Sequence, residues 1–339
     1  MAVIAPSWVL TQPSFMEPEL LLQFNQASGA FDLLYTENPI TKIGSEDKQV
    51  YIRRLAVRTR VSTSASAANQ LPSCELVFSM ISTPTYLNRT RAEYDHHDTA
   101  MVGMWGASIV EGQRLAMRQG HFQLLRNQLL YGNLPANGEG LCNANGATSV
   151  TLPADSFGNQ TSRTYDAGQM AQFMLTQFAA TKTRTMQLGE PQRFVICGPQ
   201  RILSIFEYQN IVQLTSYQRP GGGSDTTAGT VKNIATLNGD TVEWVYDDTL
   251  IGQGAGGTDL IIINMPELKK PRAGKINTNE FAQLTPGLNA CTLMYTDMAA
   301  PMEIPTPLPG GAIDILSEIR ATPGWAPRPE SLTLISITY

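Results

Sequence analysis

The sequence predicts an α+β fold organised around one long helix. Apolar or small side chains recur at helical spacing in residues 98–132, and every seventh position is one of Met101, Ser108, Leu115, Phe122 and Leu129. Short segments on both sides of this helix alternate apolar and polar residues, as strands do. The 28 Gly and 21 Pro indicate many turns between these elements.

Composition limits the classes of protein that the chain can belong to. With 339 residues, 42% of them hydrophobic and 16% charged, it is globular and has room for two domains. No run of 18 apolar residues exists, so we expect no membrane-spanning helix. The net charge of −5 argues against a dedicated nucleic-acid reader. It does not exclude a shell around DNA, whose inner surface need only tolerate the polyanion.

Residues 1–49 predict an extended N-terminal arm that carries one short helix. The arm has scattered prolines and an amphipathic stretch over residues 19–31. Its apolar side chains, among them Leu21, Leu22 and Phe24, would be a liability in water. We therefore predict that the arm straps over a neighbouring subunit. Because the N-terminus lacks the pattern of a signal peptide, we do not expect secretion.

Residues 50–97 predict a projecting hairpin. Residues 50–61 alternate as a strand, 62–69 form a small polar tip, and 74–81 form the returning strand. One face of the first strand carries Arg54, Arg58 and Arg60. Arg54 and Arg60 would lie about 20 Å apart, too far for one local carboxylate to neutralise. The row is either a solvated face or a contact with acidic groups of a neighbouring subunit.

The long helix has recognisable ends. Asp98 is an acceptable N-cap and Gly132 suits the position just after the last turn, which gives a helix of roughly 50 Å. Its opposite side carries Glu111, Arg114, Arg118 and Arg126. Four glycines between residues 103 and 120 weaken it, so we expect a bend or a frayed first turn.

Beyond the helix, the chain divides into a body and an insertion. We assign residues 98–150 to a peripheral body, 151–301 to an inserted domain, and 302–339 to strands that return to the body. Helices are predicted at 166–183, capped by Asp166, and at 199–208, opened by Pro199. Strands are predicted at 149–152, 193–197, 241–246, 260–264, 293–296, 313–321 and 331–337.

Several motifs suggest chemistry but have simpler explanations. The segment 252–257 matches GxGxxG, yet the residues after it read as a strand, so no helix N-terminus would face a pyrophosphate. Asp95, His96, His97 and Asp98 are adjacent and would point in different directions, which does not suit a closed metal site. His121 is isolated in the long helix and is interpreted as structural. We expect no cofactor, no metal and no catalytic residue.

The four cysteines predict buried free thiols. Cys74, Cys142, Cys197 and Cys291 lie far apart in apolar surroundings and form no CxxC pair. This usage is typical of a reducing cytoplasm.

The end of the long helix carries a resemblance to a known family. Leu129-Leu130-Tyr131-Gly132, a short loop, and then Gly140-Leu141-Cys142-Asn143 resemble the spine helix and following Gly-Leu-x-Asn turn of tailed-phage major capsid proteins. The order of arm, hairpin, helix, insertion and return strand resembles that family over nearly the whole chain. Cys142 departs from the pattern, because the family commonly has another aliphatic residue there.

The resemblance implies a structural protein without catalysis. Copies would assemble into hexamers and pentamers of an icosahedral phage head, formed in the host cytoplasm, that encloses double-stranded DNA without reading its sequence. In this arrangement the insertion is the axial domain and the hairpin is the extended loop. Portal, scaffolding and decoration proteins are further partners that the family implies, and no membrane is involved.

Two alternatives remain open at this point. One is an encapsulin-type cellular shell, which shares the fold and encloses a cargo enzyme. The other is a metal-dependent hydrolase that uses Asp95, His96, His97 and Asp98.

Overall fold

The fold was analysed in a computed structural model. It describes residues 28–35, 43–58, 75–103, 108–187, 190–208, 226–268 and 291–339. In chain order the helices and strands are β1 (Gln49–Arg58), β2 (Glu75–Pro84), β3 (Tyr86–Tyr94), α1 (His96–Gly103), α2 (Ile109–Tyr131), β4 (Thr148–Thr151), α3 (Ala167–Arg184), β5 (Arg193–Gly198), α4 (Gln200–Tyr208), α5 (Thr227–Leu237), β6 (Thr241–Tyr246), β7 (Asp259–Asn264), β8 (Met302–Pro307), β9 (Ile313–Ala321) and β10 (Leu332–Ile337).

The long helix is shorter than the sequence suggests, and its predicted start is wrong. Asp98 lies inside α1, and α2 begins after Ser108, whose hydroxyl accepts a hydrogen bond of 3.4 Å from the Glu111 N–H. The predicted end is confirmed, since Gly132 follows the last turn with a φ of 67°. The 23 residues of α2 span about 35 Å rather than the expected 50 Å.

The buried face of α2 also differs from the predicted stripe. Met117, His121, Leu125 and Leu129 are buried at intervals of four residues. Leu115 and Phe122, which the heptad pattern places inside, are exposed. Arg126, assigned above to the solvent side, is buried.

A three-stranded antiparallel sheet, ordered β3-β9-β8, packs beside α2. Polar side chains join the two. The His121 Nε2 atom lies 3.0 Å from the Ser317 Oγ atom on β9. The side-chain amides of Asn88 on β3 and Gln128 on α2 exchange two hydrogen bonds of 3.0 and 2.9 Å. Because these amides are buried, each supplies the partner that the other needs.

A five-stranded mixed sheet, ordered β4-β10-β7-β5-β6, forms the second half of the fold. Its three central strands, β5, β7 and β10, are buried on both faces, and neighbouring residues on them alternate between two cores. Val195 and Ile262 face a core shared with α2, whereas Ile196 and Ile263 face a core shared with α3, α4 and α5. The fold class is α+β, as predicted.

The C-terminal strands separate, contrary to their predicted grouping. β9 lies beside α2 in the three-stranded sheet, but β10 lies between β4 and β7 in the five-stranded sheet. The strands predicted at 149–152, 193–197, 241–246 and 260–264 and the helices at 166–183 and 199–208 are confirmed within two residues. Residues 293–296 do not form the predicted strand, since among them Met294 alone makes an isolated bridge, with Trp325. Helix α5 was not predicted.

Candidate functional site: the exposed hairpin

Among the described strands, β1 and β2 pair only with each other, and they form the predicted hairpin. The register runs from Gln49 opposite Pro84 to Arg58 opposite Glu75. Directly opposite residues of an antiparallel pair share one face, and side chains alternate between faces along each strand. Each side chain is thereby assigned to one of two faces.

One face, here called the apolar face, is open to water. It carries Tyr51, Leu76, Phe78 and Met80, whose exposed fractions are 60, 49, 77 and 71%. Monomeric proteins rarely leave so many large apolar side chains together in solvent, and such a patch usually marks a contact with another molecule. The apolar face is therefore the strongest candidate for an interaction surface on the hairpin.

The other face, here called the arginine face, fixes the root of the hairpin to the body. Ile52 and Ile81 lie opposite each other on it. They pack against a small core that contains Met294 and Trp325. Among the described residues, this packing covers the arginine face and leaves the large side chains of the apolar face exposed.

Arg54 lies on the arginine face, opposite Ser79, and its side chain is exposed. No ion pair joins Arg54 to a carboxylate in the described part of the chain. The positive charge of Arg54 instead repels the guanidinium of Arg328. Burial lowers the pKa of Arg328, and the charge of Arg54 contributes to that lowering. Among the described residues, the charge of Arg54 is therefore not paired with a carboxylate.

The other predicted contact residues lie outside the part of the chain that the structure describes: Leu21, Leu22, Phe24 and Arg60, together with the side chain of Arg58. The apolar face was not predicted from the sequence. Its signal was the alternation of Leu76, Phe78 and Met80, but only the register and the burial of the opposite face show that this side meets water.

The Asp95–Asp98 cluster forms a helix start. The Asp98 N–H donates to the Asp95 carboxylate at 2.8 Å, and the Asp95 N–H donates to the Asp98 carboxylate at 3.2 Å. The bond from Asp98 is the main reason that the pKa of Asp95 lies below its usual range. In the described ranges no group of three His, Cys, Asp or Glu side chains is arranged to hold a metal ion.

Two other motifs agree with the simpler interpretation. β7 begins two residues after the glycine-rich segment 252–257, so a strand and not a helix follows it. Cys142 and Cys197 are free thiols, and Cys74 lies outside the described residues. Burial raises the pKa of Cys142 to about 12, which makes it a poor nucleophile.

Among the described residues, no helix has both the length and the apolar character needed to cross a membrane. No protein-family model and no curated protein matches the sequence.

Solved structures do match the fold. The capsid of Myoviridae phage XM1 gives a TM-score of 0.68 at 10% identity, with 99% of each chain covered. The fold is that of tailed-phage capsid proteins. The capsid of an empty GTA particle gives a TM-score of 0.57 at 9% identity, covering 100% of this chain and 99% of the other. The capsid of cyanophage P-SCSP1u gives 0.56 at 11% identity, covering 97% and 93%. The capsid fold predicted from the spine-like helix and its following turn is thus confirmed.

Proposed function

We propose that the chain is the major capsid subunit of a phage-type icosahedral head. The observation that carries this proposal is the similarity in fold to a phage capsid over 99% of both chains. A match of that extent leaves no long segment of this chain outside the shared fold to hold a separate activity. In this role the chain is structural, catalyses nothing and assembles with copies of itself into hexamers and pentamers.

In this proposal each part of the chain has a separate role in the assembled shell. Residues 1–49 act as an arm, and the hairpin of β1 and β2 acts as the extended loop. The peripheral domain consists of α2 with β3, β8 and β9, so it takes β3 from the segment 50–97 that was predicted as the hairpin. The five-stranded sheet with α3, α4 and α5 acts as the axial domain around the capsomer axis. Since β10 belongs to that sheet, the axial domain takes the C-terminal strand in addition to residues 151–301.

The hairpin is the main contact with a neighbouring subunit in this proposal. Its apolar face would be buried against a second copy, which removes large side chains from water. Arg54, Arg58 and Arg60 would meet carboxylates of a neighbour, and such pairs set orientation more than affinity. In the arm, Leu21, Leu22 and Phe24 would strap over another subunit.

The enclosed cargo is double-stranded DNA in this proposal. The net charge of −5 suits an inner surface that tolerates DNA without binding it tightly. Tight binding to many phosphates would hinder release of the DNA from the shell. Portal, scaffolding and decoration proteins would be its further partners, and the mature location would be the virion.

Two measurements test this function. The purified full chain, assembled and viewed by negative stain, is expected to form closed shells of uniform size. Particles recovered from the native source are expected to contain nuclease-protected DNA. A chain that stays monomeric under all assembly conditions would contradict a shell role. Shells that contain an enzyme instead of DNA would identify the encapsulin-type alternative.

A further inference from the structure

The chain passes directly from the hairpin into the three-stranded sheet. β2 ends at Pro84 and β3 begins at Tyr86, so Thr85 alone separates two strands that belong to different sheets. Pro84 has no N–H group with which to continue a strand ladder. The junction at Thr85 is therefore the point at which the hairpin can change its direction relative to the body.

Thr85 joins the two ends of the hairpin to each other. Its N–H donates to the Lys48 carbonyl at 3.0 Å, and its hydroxyl donates to the Asp47 carbonyl. Asp47 and Lys48 precede β1, whereas Thr85 follows β2. The segments that enter and leave the hairpin thus form one unit. These bonds lie within that unit, so they do not fix its direction relative to the body.

Arg320 attaches this unit to the body. It lies on β9, opposite Leu87 of β3. Its Nη1 atom donates to the Thr85 hydroxyl at 3.0 Å and to the Asp47 carbonyl at 3.1 Å. The bond to Thr85 is half-buried, so water competes with it less than with the exposed bond to Asp47. Because hydrogen bonds weaken steeply when their geometry changes, this contact selects one direction of the hairpin.

The other contacts near the junction are less directional. The arginine face packs against Met294 and Trp325 through apolar side chains, and the attraction between such groups has no preferred direction. A cleft of about 510 Å³ beside the junction, lined by Ser82 of β2 and Asn137 of the loop after α2, leaves room for a tilt. The Tyr86 hydroxyl donates to Glu139 at 2.8 Å, but this bond fixes β3, on the body side of Thr85.

The length of the hairpin amplifies any change of angle at the junction. The ten residues of β1 extend roughly 30 Å. A rotation of about 10° would therefore move the far end of the strand by about 5 Å. Side chains that touch have heavy atoms within about 4.5 Å of each other, so a shift of this size separates them.

We propose that Arg320 is a positioning residue that fixes the angle at which the hairpin leaves the body. Its guanidinium holds the joined ends of the hairpin at a single point on β9. The consequence for assembly rests on the proposed shell function, in which the apolar face must meet a second copy at a defined place. The angle itself is a property of the single chain and can be measured without shells.

Distances between two spin labels, measured by double electron–electron resonance on the unassembled subunit, test the angle. In a Cys74→Ser background the labels are attached at Leu76→Cys on β2 and at Phe157→Cys in the turn before α3, two exposed positions. The parent protein should give one narrow distance distribution. Arg320→Met should broaden it at least twofold, and Arg320→Lys, which keeps a donor, should give an intermediate width.

Two further variants separate the contact from a loss of charge. Thr85→Val removes the hydroxyl that Arg320 contacts, keeps the net charge and should also broaden the distribution. It decides the question if Arg320→Met does not fold by circular dichroism. The control Arg89→Met removes another arginine of the same sheet, which pairs with Glu318 at 2.7 Å, and should leave the width unchanged. Equal widths for Arg320→Met and the parent, a parent that is already broad, or equal broadening by Arg89→Met would overturn the assignment.

Assembly of the same variants without labels is a separate measurement. By light scattering, Arg320→Met should form shells several-fold more slowly than Arg89→Met. A broadened distance distribution together with normal assembly would retain the role of Arg320 in the single chain. That result would count instead against the hairpin as a contact in the proposed shell, so the two ideas can fail independently.

Discussion

At the scale of single residues, Met186 occupies a backbone position that favours glycine. Its φ is 57°, and it ends α3 in a Schellman arrangement in which the Gln187 N–H donates to the Lys182 carbonyl at 2.8 Å. The side chain is 81% exposed, so little packing holds it there. Met186→Gly should raise the free energy of unfolding by up to about 1 kcal/mol in urea denaturation of the unassembled subunit. Met186→Ala keeps a Cβ atom and should match the wild type. Equal stability of all three proteins would contradict the strain at this position.

Gly140 illustrates the opposite case, a glycine that the turn after α2 requires. Its φ is 85°, and a Cβ atom there would overlap the backbone of Tyr131 and Gly132. Gly140→Val should therefore lower both soluble yield and the free energy of unfolding, by more than about 1 kcal/mol. Gly120, inside α2, has no atom within 4 Å of such a Cβ, and Gly120→Ala should stabilise the helix by up to about 1 kcal/mol. Normal yield and normal shells from Gly140→Val would show that the turn tolerates a side chain.

Residue environments were only partly predictable from the sequence. The isolated His121 was interpreted as structural, and its burial and contact with Ser317 agree with that interpretation. Arg126 was misplaced, because helical spacing gives the direction of the apolar side but not the width of the buried arc. The arc widens toward the end of α2, where the helix is covered on more sides, and it includes Gln128 as well.

At the scale of elements, the sequence predicts those helix ends that have a capping residue. It does not predict which strands pair when they are distant in the sequence. Gly132 and Asp166 were located because a C-terminal glycine and an N-terminal carboxylate act within one turn. The start of α2 was missed because Asp98 and Ser108 are both good caps and the apolar spacing runs past each of them. The sequence of β10 predicts a strand but does not indicate which sheet it joins. No local pattern shows that its partners are β4 and β7.

The apolar face of the hairpin yields a prediction at this scale. Replacing Leu76, Phe78 and Met80 together by Thr keeps strand propensity and removes the large apolar groups. The circular dichroism spectrum of the subunit should be unchanged, because these side chains face water in the single chain. Shell assembly, followed by light scattering, should be lost. Leu237→Ser, which alters an equally exposed leucine on α5, is the control and should still assemble. Normal assembly of the triple variant would mean that the apolar face is not an interface.

At the scale of the whole molecule, the hydrophobic cores are buried within the single chain, but one apolar surface, on the hairpin, is exposed. The two faces of the five-stranded sheet are buried within the chain, and α2 is held to the three-stranded sheet by paired polar groups. On the hairpin, in contrast, no described element covers the apolar face. The sequence resemblance predicted this projecting hairpin, but which face is open depends on packing between the arginine face and Trp325, which are far apart in the sequence.

The charge of the hairpin gives the last prediction, which concerns assembly of whole subunits. Arg54 forms no ion pair with a carboxylate among the described residues, so we predict that its carboxylate partners belong to a neighbouring subunit. Exposed pairs contribute less than about 1 kcal/mol each, and the effect of the row should be collective. Replacing Arg54, Arg58 and Arg60 together by Glu should leave the subunit folded by circular dichroism but unable to form shells. High salt should slow wild-type assembly, because it screens charges that guide association.

The control for this triple reversal changes the net charge by the same amount elsewhere. Arg118, Arg163 and Lys232 are exposed and lie outside the hairpin, and their joint replacement by Glu should preserve assembly. A general increase in negative charge would impair both variants equally, through repulsion between subunits. Loss of shells from the hairpin variant alone would therefore locate the effect in the arginine face. If that variant builds normal particles, the row is a solvated surface, and the apolar face and the N-terminal arm must hold the subunits together.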